Sequence, residues 1–556
     1  MTSGYRPADA RIMNDDRHVL STPVLIVGGG PAGLMTALLL ARQGVPSLLA
    51  ERHPETSILP RATGLNARTM EILRGLGLEQ ALRAAEVDVR GLPVMTELET
   101  LPGPVLRLAP NLNSRGHEDA GWPSPTRQSF CAQDVLEPLL VDAIRDSTRA
   151  DLRFNTELVG FDQDGSVVSA QLRDRASGAV RAVRASYLVA ADGAHSGVRN
   201  KLGIPMTGHD EMSDELNVLF QADLSAALAG KRSILFWIRN SWLPAGGILR
   251  NNDGADRWTL ITRDPGDIGP GRLIEVIRGC AGDPRLKVAI LAIGRWVKAA
   301  MLADRFQAGR VFLVGDAAHR LAPAGAMGMN TAIQGAHNLA WKLAGVINGW
   351  ASQSILETYE SERRPVSGCA VELSYRNEIE RNHARQILGL MFGASYDSPA
   401  VVPDGTAAPQ SPDPIAEYFP TARPGHRAPH HWLTADGRRI SIIDLVDGQR
   451  FTVLTTCPAW SRSALEVASS SSVPITAPVI DDAQWCSAYG IQPDGAVLVR
   501  PDGYVAARWH EQRADPSGEL RGALAAILSH RVPALPPARL APGSLARTAA
   551  CTVSKS

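Results

Sequence analysis

Glycines that open a helix and carboxylates that follow strands are the residues here whose type and spacing suit chemistry with a charged cofactor. Val24-Leu25-Ile26-Val27 leads into Gly28-Gly29-Gly30-Pro31-Ala32-Gly33, and a helical run follows from Leu34 to Arg42. Gly28 permits a tight turn, Gly30 lets a pyrophosphate approach the backbone, and Gly33 lets helix and strand pack closely. With Pro31 and Ala32 they form a helix N-terminus whose N–H groups and positive dipole attract phosphate. Glu51, with Arg52 beside it, follows a second strand, Ser47–Ala50. A carboxylate there accepts hydrogen bonds from ribose hydroxyls. The motif does not by itself separate FAD from NAD, and its bland alternative is a glycine-rich turn with no ligand.

Two further motifs lie downstream. The apolar run Arg310–Val314 ends in Gly315-Asp316, where an open α/β sheet places ligand-binding groups, so Asp316 is a candidate for a ribityl hydroxyl. Pro323-Ala324-Gly325-Ala326-Met327-Gly328-Met329-Asn330 then opens a helix. Its N–H groups at Gly328, Met329 and Asn330 can stabilise negative charge on the N1–C2=O edge of a reduced flavin. The alternative is a strand, a turn and an ordinary helix. Asp192-Gly193 is a third candidate, with a simple Asp-Gly turn as its alternative.

These motifs need a scaffold, and strand, glycine turn, helix and strand from Pro23 onward predict a parallel α/β sheet. Short β-rich runs at Val218–Leu224, Ile234–Ile238 and Trp258–Thr262 predict an inserted antiparallel sheet. Within it Phe236, Trp237, Trp242 and Trp258 are candidates to stack on an aromatic ligand, core packing being the alternative. Helical pattern resumes after Asn330, interrupted at Pro365, and a linker over 398–414 precedes a small α/β unit. The expected FAD-binding domain is discontinuous, at 22–95, 125–205 and 295–395. The antiparallel substrate-binding sheet takes 96–124 and 206–294, and the last domain 412–535. Residues 1–21 and 536–556 are expected to be disordered.

Lys plus Arg equals Asp plus Glu at 57 each in 556 residues, which argues against nucleic acid or an anionic membrane as partner. No run approaches the roughly 18 apolar residues of a membrane span, and the polar start lacks a signal peptide's apolar centre, so a cytoplasmic location is expected. Cys131, Cys280, Cys369, Cys457, Cys486 and Cys551 form no CxxC pair and read as reduced, structural thiols. His426, His430 and His431 lack the further ligands of a metal site, so no metal is expected.

Taken together, Gly28 to Gly33 with Glu51, Asp192-Gly193-Ala194-His195-Ser196-Gly197-Val198-Arg199, and Gly315-Asp316 with Pro323 and Gly328-Met329-Asn330 resemble the class A FAD-dependent monooxygenases. The resemblance runs from about Thr22 to Leu390. Gln334-Gly335 departs from it, since many relatives carry Asp after the glutamine. It implies that Gly28, Gly30, Gly33 and Glu51 hold the ADP portion, Asp316 the ribityl chain, and Pro323 with Gly328 to Asn330 the isoalloxazine. Arg61, Gln133 and Leu158 are implied as further flavin contacts, and Asp192 is associated with FAD and NAD(P)H. NAD(P)H, for which no second Rossmann unit appears, would bind transiently and reduce FAD. A flavin C4a-hydroperoxide would then pass one oxygen from O2 to an aromatic substrate, and no dedicated catalytic side chain can be named.

The C-terminal region, from Pro424-Gly425-His426-Arg427 to Arg500-Pro501-Asp502-Gly503, resembles the thioredoxin-like extension of aromatic polyketide hydroxylases. Thr456-Cys457-Pro458-Ala459-Trp460 supplies one thiol where a redox thioredoxin needs two. A structural role, or one in a homodimer, is therefore expected. The length and His337–Lys342 look most like the tetracenomycin and rubromycin hydroxylases, which implies a polycyclic polyketide substrate. Baeyer–Villiger oxygenation of a ketone and flavin binding without turnover remain the alternatives.

Overall fold

A computed structural model of the chain describes residues 19–112, 121–381, 385–435 and 437–529. The disorder expected for 1–18 and 536–556 lies outside the described residues. Leu20 already pairs with Val183, so order begins just before the expected border at Thr22.

The first sheet is built on Leu20–Val27, whose last four residues are buried. A short apolar run buried on both faces is the signature of a central parallel strand. Leu20–Val27 pairs in parallel with Ser47–Ala50 on one side and Val180–Ala190 on the other. Ala150–Arg153 and Val311–Leu313 extend the parallel order outward. Helix Pro31–Arg42 packs against Gln133–Ser147 and Gly328–Ile347. Each large apolar side chain buried in this core contributes roughly 1.5–3 kcal/mol.

The second sheet is inserted and largely antiparallel. Its order is His319–Arg320, Ala289–Ala303, Met206–Gln221, Arg257–Arg263, Gly247–Asn251, Leu235–Ile238, Met95–Leu98 and Arg107–Ala109. One face packs Leu216, Val218, Phe220, Ile238, Leu249 and Leu260 on the amphipathic helix Pro270–Ala281 through Leu273, Val276 and Ile277. Since side chains alternate along a strand, the other face carries Ser213, Glu215 and Asn217 beside Gly294, Trp296 and Lys298. Strand Ala289–Ala303 runs unbroken through the border expected at residue 294, so the sheet extends past it.

Pro365 lies inside the continuous helix Thr358–Glu380 and does not interrupt it. Tertiary burial of Tyr359, Ser367, Ala370 and Leu373 offsets the one backbone hydrogen bond that proline forgoes. The segment 398–414 is anchored along the C-terminal unit: Val402 N–H donates to Ala506 O at 2.8 Å and Arg508 Nε to Asp404 at 2.7 Å. That unit is a four-stranded sheet in the order Ile475–Thr476, Phe451–Thr455, Ala496–Val499, Val505–Trp509, with one parallel and two antiparallel pairings. Helix Pro458–Ser470 links the parallel pair, Ala483–Tyr489 leads to the third strand, and Pro516–Ser529 follows the last.

Candidate active site

A cavity of about 1860 Å³ separates the two large sheets. Ligand pockets for drug-sized molecules run about 300–1,000 Å³, so this one has room for a dinucleotide and a second ligand. Its lining includes the residues just beyond four parallel strands, at Gly28, Glu51, Asp192 and Gly315-Asp316. The carboxyl ends of parallel strands are where open α/β sheets bind ligands.

Gly28 has φ of +107°, and a Cβ there would lie 2.2 Å from Ala191 O. Gly33, which does not line the cavity, packs so closely that a Cβ would lie 1.9 Å from Gly28 O. Gly30 has nothing within 4 Å of the equivalent position, leaving its approach open. No side chain caps the helix that Pro31 and Ala32 begin, so its N–H groups face the cavity. Glu51 accepts from Gly29 N–H at 2.6 Å and from His53 N–H at 2.8 Å, which holds the carboxylate beside the turn. Arg52 lines the same end.

On the same edge of the sheet, beside the turn, Asp316 is open to the cavity's solvent but surrounded by protein. Desolvation raises its carboxyl above the ordinary value, against the opposing pull of Arg320 and Arg61. Helix Gly328–Ile347 likewise has no side-chain cap at Met327. Asn330 instead braces the wall: it accepts from Asn66 N–H at 2.9 Å and donates to Gly64 O at 2.9 Å and Ala326 O at 2.7 Å. Pro323, Met329, Arg61, Gln133 and Leu158 also line the cavity. Gln133 turns its amide to Glu137 at 2.7 Å, and Asp192 keeps Oδ1 buried without a partner among the described residues while Oδ2 accepts from Val198 N–H at 3.1 Å.

Two uncapped helix N-termini facing one cavity, with the Glu51 carboxylate beside the first and Asp316 next to the Gly315 that packs on Ala32 and Ala332, fit a bound flavin dinucleotide and define a flavoprotein oxidoreductase site. Residues 21–374 match the FAD binding domain family, and residues 421–530 match the aromatic-ring hydroxylase C-terminal family. The chain belongs to the FAD-dependent aromatic-ring hydroxylases, and is an FAD-dependent monooxygenase. It is 39% identical to the tetracenomycin B2 monooxygenase-dioxygenase of Streptomyces olivaceus, over 92% of this chain and 99% of that one. Among solved structures it resembles the flavin-dependent monooxygenase PieE in complex with FAD and substrate, at a TM-score of 0.85 and 32% identity, covering 92% of this chain and 99% of that one. It also resembles aklavinone-11 hydroxylase in ternary complex with FAD and aklavinone, at a TM-score of 0.82 and 34% identity, covering 93% and 100%.

Of the four sheet aromatics expected to meet an aromatic ligand, only Trp237 lines the cavity. Phe236 and Trp258 are each 2% exposed and sit in the core against the helix Pro270–Ala281. Adjacent strand residues face opposite ways, so Phe236 and Trp237 cannot share a face. Trp242 lies outside the cavity on that helix, with Arg272 stacked 4.8 Å from its ring centroid and no room for a side chain at Gly279. Trp237 occupies space that only a glycine at 246 leaves open, a Cβ there falling 2.3 Å from its ring.

Other lining residues carried no sequence motif. Buried Arg250 donates to Pro60 O and to Asn252 at 3.1 Å, and so ties the antiparallel sheet to the loop bearing Arg61; burial lowers its pKa to about 10. Trp296 donates from Nε1 to Asn217 at 3.0 Å. Period-two alternation along 289–303 was the available signal for Trp296 and Lys298, but it does not say which face meets the ligand.

His319, next to this wall, is 2% exposed. Burial and then nearby Arg363 lower its pKa to about 3. The unfolded chain therefore binds a proton near pH 6.5 that the folded chain refuses. The stability this contributes is complete above about pH 6.5 and is lost as pH falls toward 3, amounting to about 1.4 kcal/mol by pH 5.5. His319→Asn is expected to lessen the drop in urea midpoint between pH 7 and 5.5; an unchanged drop would contradict a neutral buried imidazole.

Proposed function

We propose that this enzyme takes electrons from NAD(P)H and hydroxylates a polycyclic aromatic substrate of the polyketide type. The observation that carries this reading is one continuous cavity. It joins the dinucleotide turn, the helix opening at Gly328 and the inner face of the antiparallel sheet. The names of the relatives support a fused-ring substrate, tetracenomycin B2 for one and aklavinone for another. A cavity of about 1860 Å³ accommodates such a molecule beside the cofactor.

FAD supplies hydride acceptance and activation of O2. In this assignment Gly28, Gly30 and the helix start at Pro31 and Ala32 would bind the pyrophosphate, with Gly33 letting that helix pack close to the turn, while Glu51 would hold the ribose and Asp316 the ribityl chain. The N–H groups at Gly328 to Asn330 meet the isoalloxazine edge, where they stabilise negative charge without reorganising. Pro323 and Trp237 border the substrate. The antiparallel sheet covers one side of the site, where it would shield the flavin's reacting edge from part of the bulk water. The C-terminal unit, whose connectivity suits a thioredoxin-like domain and whose Thr456–Trp460 segment carries Cys457 without a CxxC partner, serves packing or dimerisation, in a cytoplasmic protein of three domains.

The test is NAD(P)H oxidation with O2 uptake across a panel of fused-ring phenols, followed by product analysis. A product with a new hydroxyl supports hydroxylation; a new ester or lactone would mean Baeyer–Villiger chemistry, and no stimulated turnover would favour a flavin-binding protein. Asp316→Ala separately tests the ribityl assignment. Loss of a charge-assisted hydrogen bond worth about 1.5–3 kcal/mol weakens FAD binding roughly 10- to 100-fold. Flavin absorbance remaining after gel filtration measures it, and full retention would refute the role.

A further inference from the structure

The inner face of the antiparallel sheet holds an ionic group that no step above uses. Ser213 pairs with Lys298, and Glu215 with Trp296, on neighbouring antiparallel strands, so these four side chains stand together facing the cavity. Lys298 Nζ lies 2.9 Å from Glu215 Oε1 and 2.7 Å from Glu378 Oε1, the latter carried by the last turn of helix Thr358–Glu380. Ser213 Oγ donates to the same Glu215 Oε1 at 2.7 Å. Burial works against the Lys298 charge, but Glu378 and Glu215 outweigh it and raise its pKa.

All of these bonds fall on one oxygen of each carboxylate. Among the described residues neither Glu215 Oε2 nor Glu378 Oε2 has a hydrogen-bond partner, although the two side chains are only 7% and 22% exposed. Neither free oxygen is a buried orphan: both are accessible from the cavity, where a ligand's hydrogen-bond donor can replace the water that would otherwise solvate them. Two carboxylates against one ammonium also leave an excess negative charge, which favours a hydrogen-bond donor over an anion.

We propose that Glu215 and Glu378, held apart and oriented by Lys298, form a subsite that accepts a hydrogen bond from a neutral phenolic hydroxyl of the substrate. This rests on the reading of the cavity as an aromatic-substrate site. It makes the two carboxylates specificity determinants, selecting a hydroxylated ring over its ether or its phenolate at that end.

Titration of the oxidised holoenzyme with 2-hydroxyanthraquinone and with 2-methoxyanthraquinone, followed by flavin absorbance, tests it. The wild-type protein is expected to bind the hydroxy compound at least tenfold more tightly. In Glu378→Leu and in Glu215→Gln the preference is expected to fall below threefold, with FAD content and affinity for the ether unchanged. A purely structural role would not move that ratio, and the second variant serves if the first does not fold. Equal binding of both compounds by the wild type, or a preference that survives both substitutions, overturns the subsite and leaves the aromatic-substrate reading intact. Failure of the wild type to bind either compound, with no fused-ring phenol stimulating NAD(P)H oxidation, defeats that underlying reading and the subsite with it.

Discussion

Arg500→Ala is expected to lower the stability of the chain by about 3–5 kcal/mol, the cost of stranding buried charge. Arg500 is fully buried between the C-terminal unit and the FAD-binding core. Its guanidinium grips Glu362 through two bonds of 2.6 and 2.9 Å and reaches Asp502 through Nε at 2.9 Å. Glu362 also accepts from Lys342 at 2.7 Å, Asn338 at 2.7 Å and Ser398 at 2.6 Å. Burial works against its charge, but Arg500 and Lys342 hold its carboxyl well below the usual range. Removing Arg500 leaves two buried carboxylates facing a single lysine, whose own pKa burial has lowered to about 8.

The same cluster spans the units, since Asp502 O accepts from Arg68 at 2.8 Å and Glu71 pairs with Arg427. Helices Ala67–Gly75 and Gly328–Ile347, which both start at the cavity, are thereby tied to the C-terminal unit from behind. Chemical denaturation of the holoenzyme measures the effect. A loss under about 1 kcal/mol would place the interaction with exposed ion pairs and refute a coupled buried network.

Gly28→Ala and Gly30→Ala are expected to fail differently, although the residues are two apart. At Gly28 an added Cβ meets backbone, and the φ of +107° is one that side chains rarely adopt. Strain and overpacking together cost about 2–5 kcal/mol, and they displace Gly28 N–H from Ala50 O, 2.8 Å away. The variant should lose both FAD and apoprotein stability. Gly30 has an ordinary φ of −78° and open space at its Cβ. Gly30→Ala should leave the apoprotein's melting temperature unchanged and weaken FAD alone, by obstructing the pyrophosphate. Equal apoprotein melting temperatures in both variants would refute the distinction.

The contrast between those glycines shows how much of the site was written locally. Gly28, Gly33 and Glu51 could be read from the chain because strand, turn and helix are contiguous there, and short-range backbone geometry dictates the residue type. Asp316 and the helix opening at Gly328 were readable for the same reason. The family resemblance then named FAD as the cofactor.

The wall opposite was decided only by tertiary structure. Phe236, Trp237, Trp242 and Trp258 are chemically equivalent candidates in sequence, yet strand alternation and the placement of helix Pro270–Ala281 send three of them away from the cavity. Pro365 signals a break that burial overrides. Lys298 meets Glu378 across a separation of 80 residues and Glu215 through strand register. Such a meeting has no local pattern, because register and helix docking are set by the whole core. The amino-acid order alone therefore specified a strand, glycine turn and helix suited to a dinucleotide, and the packing of two sheets specified what lies in front of it.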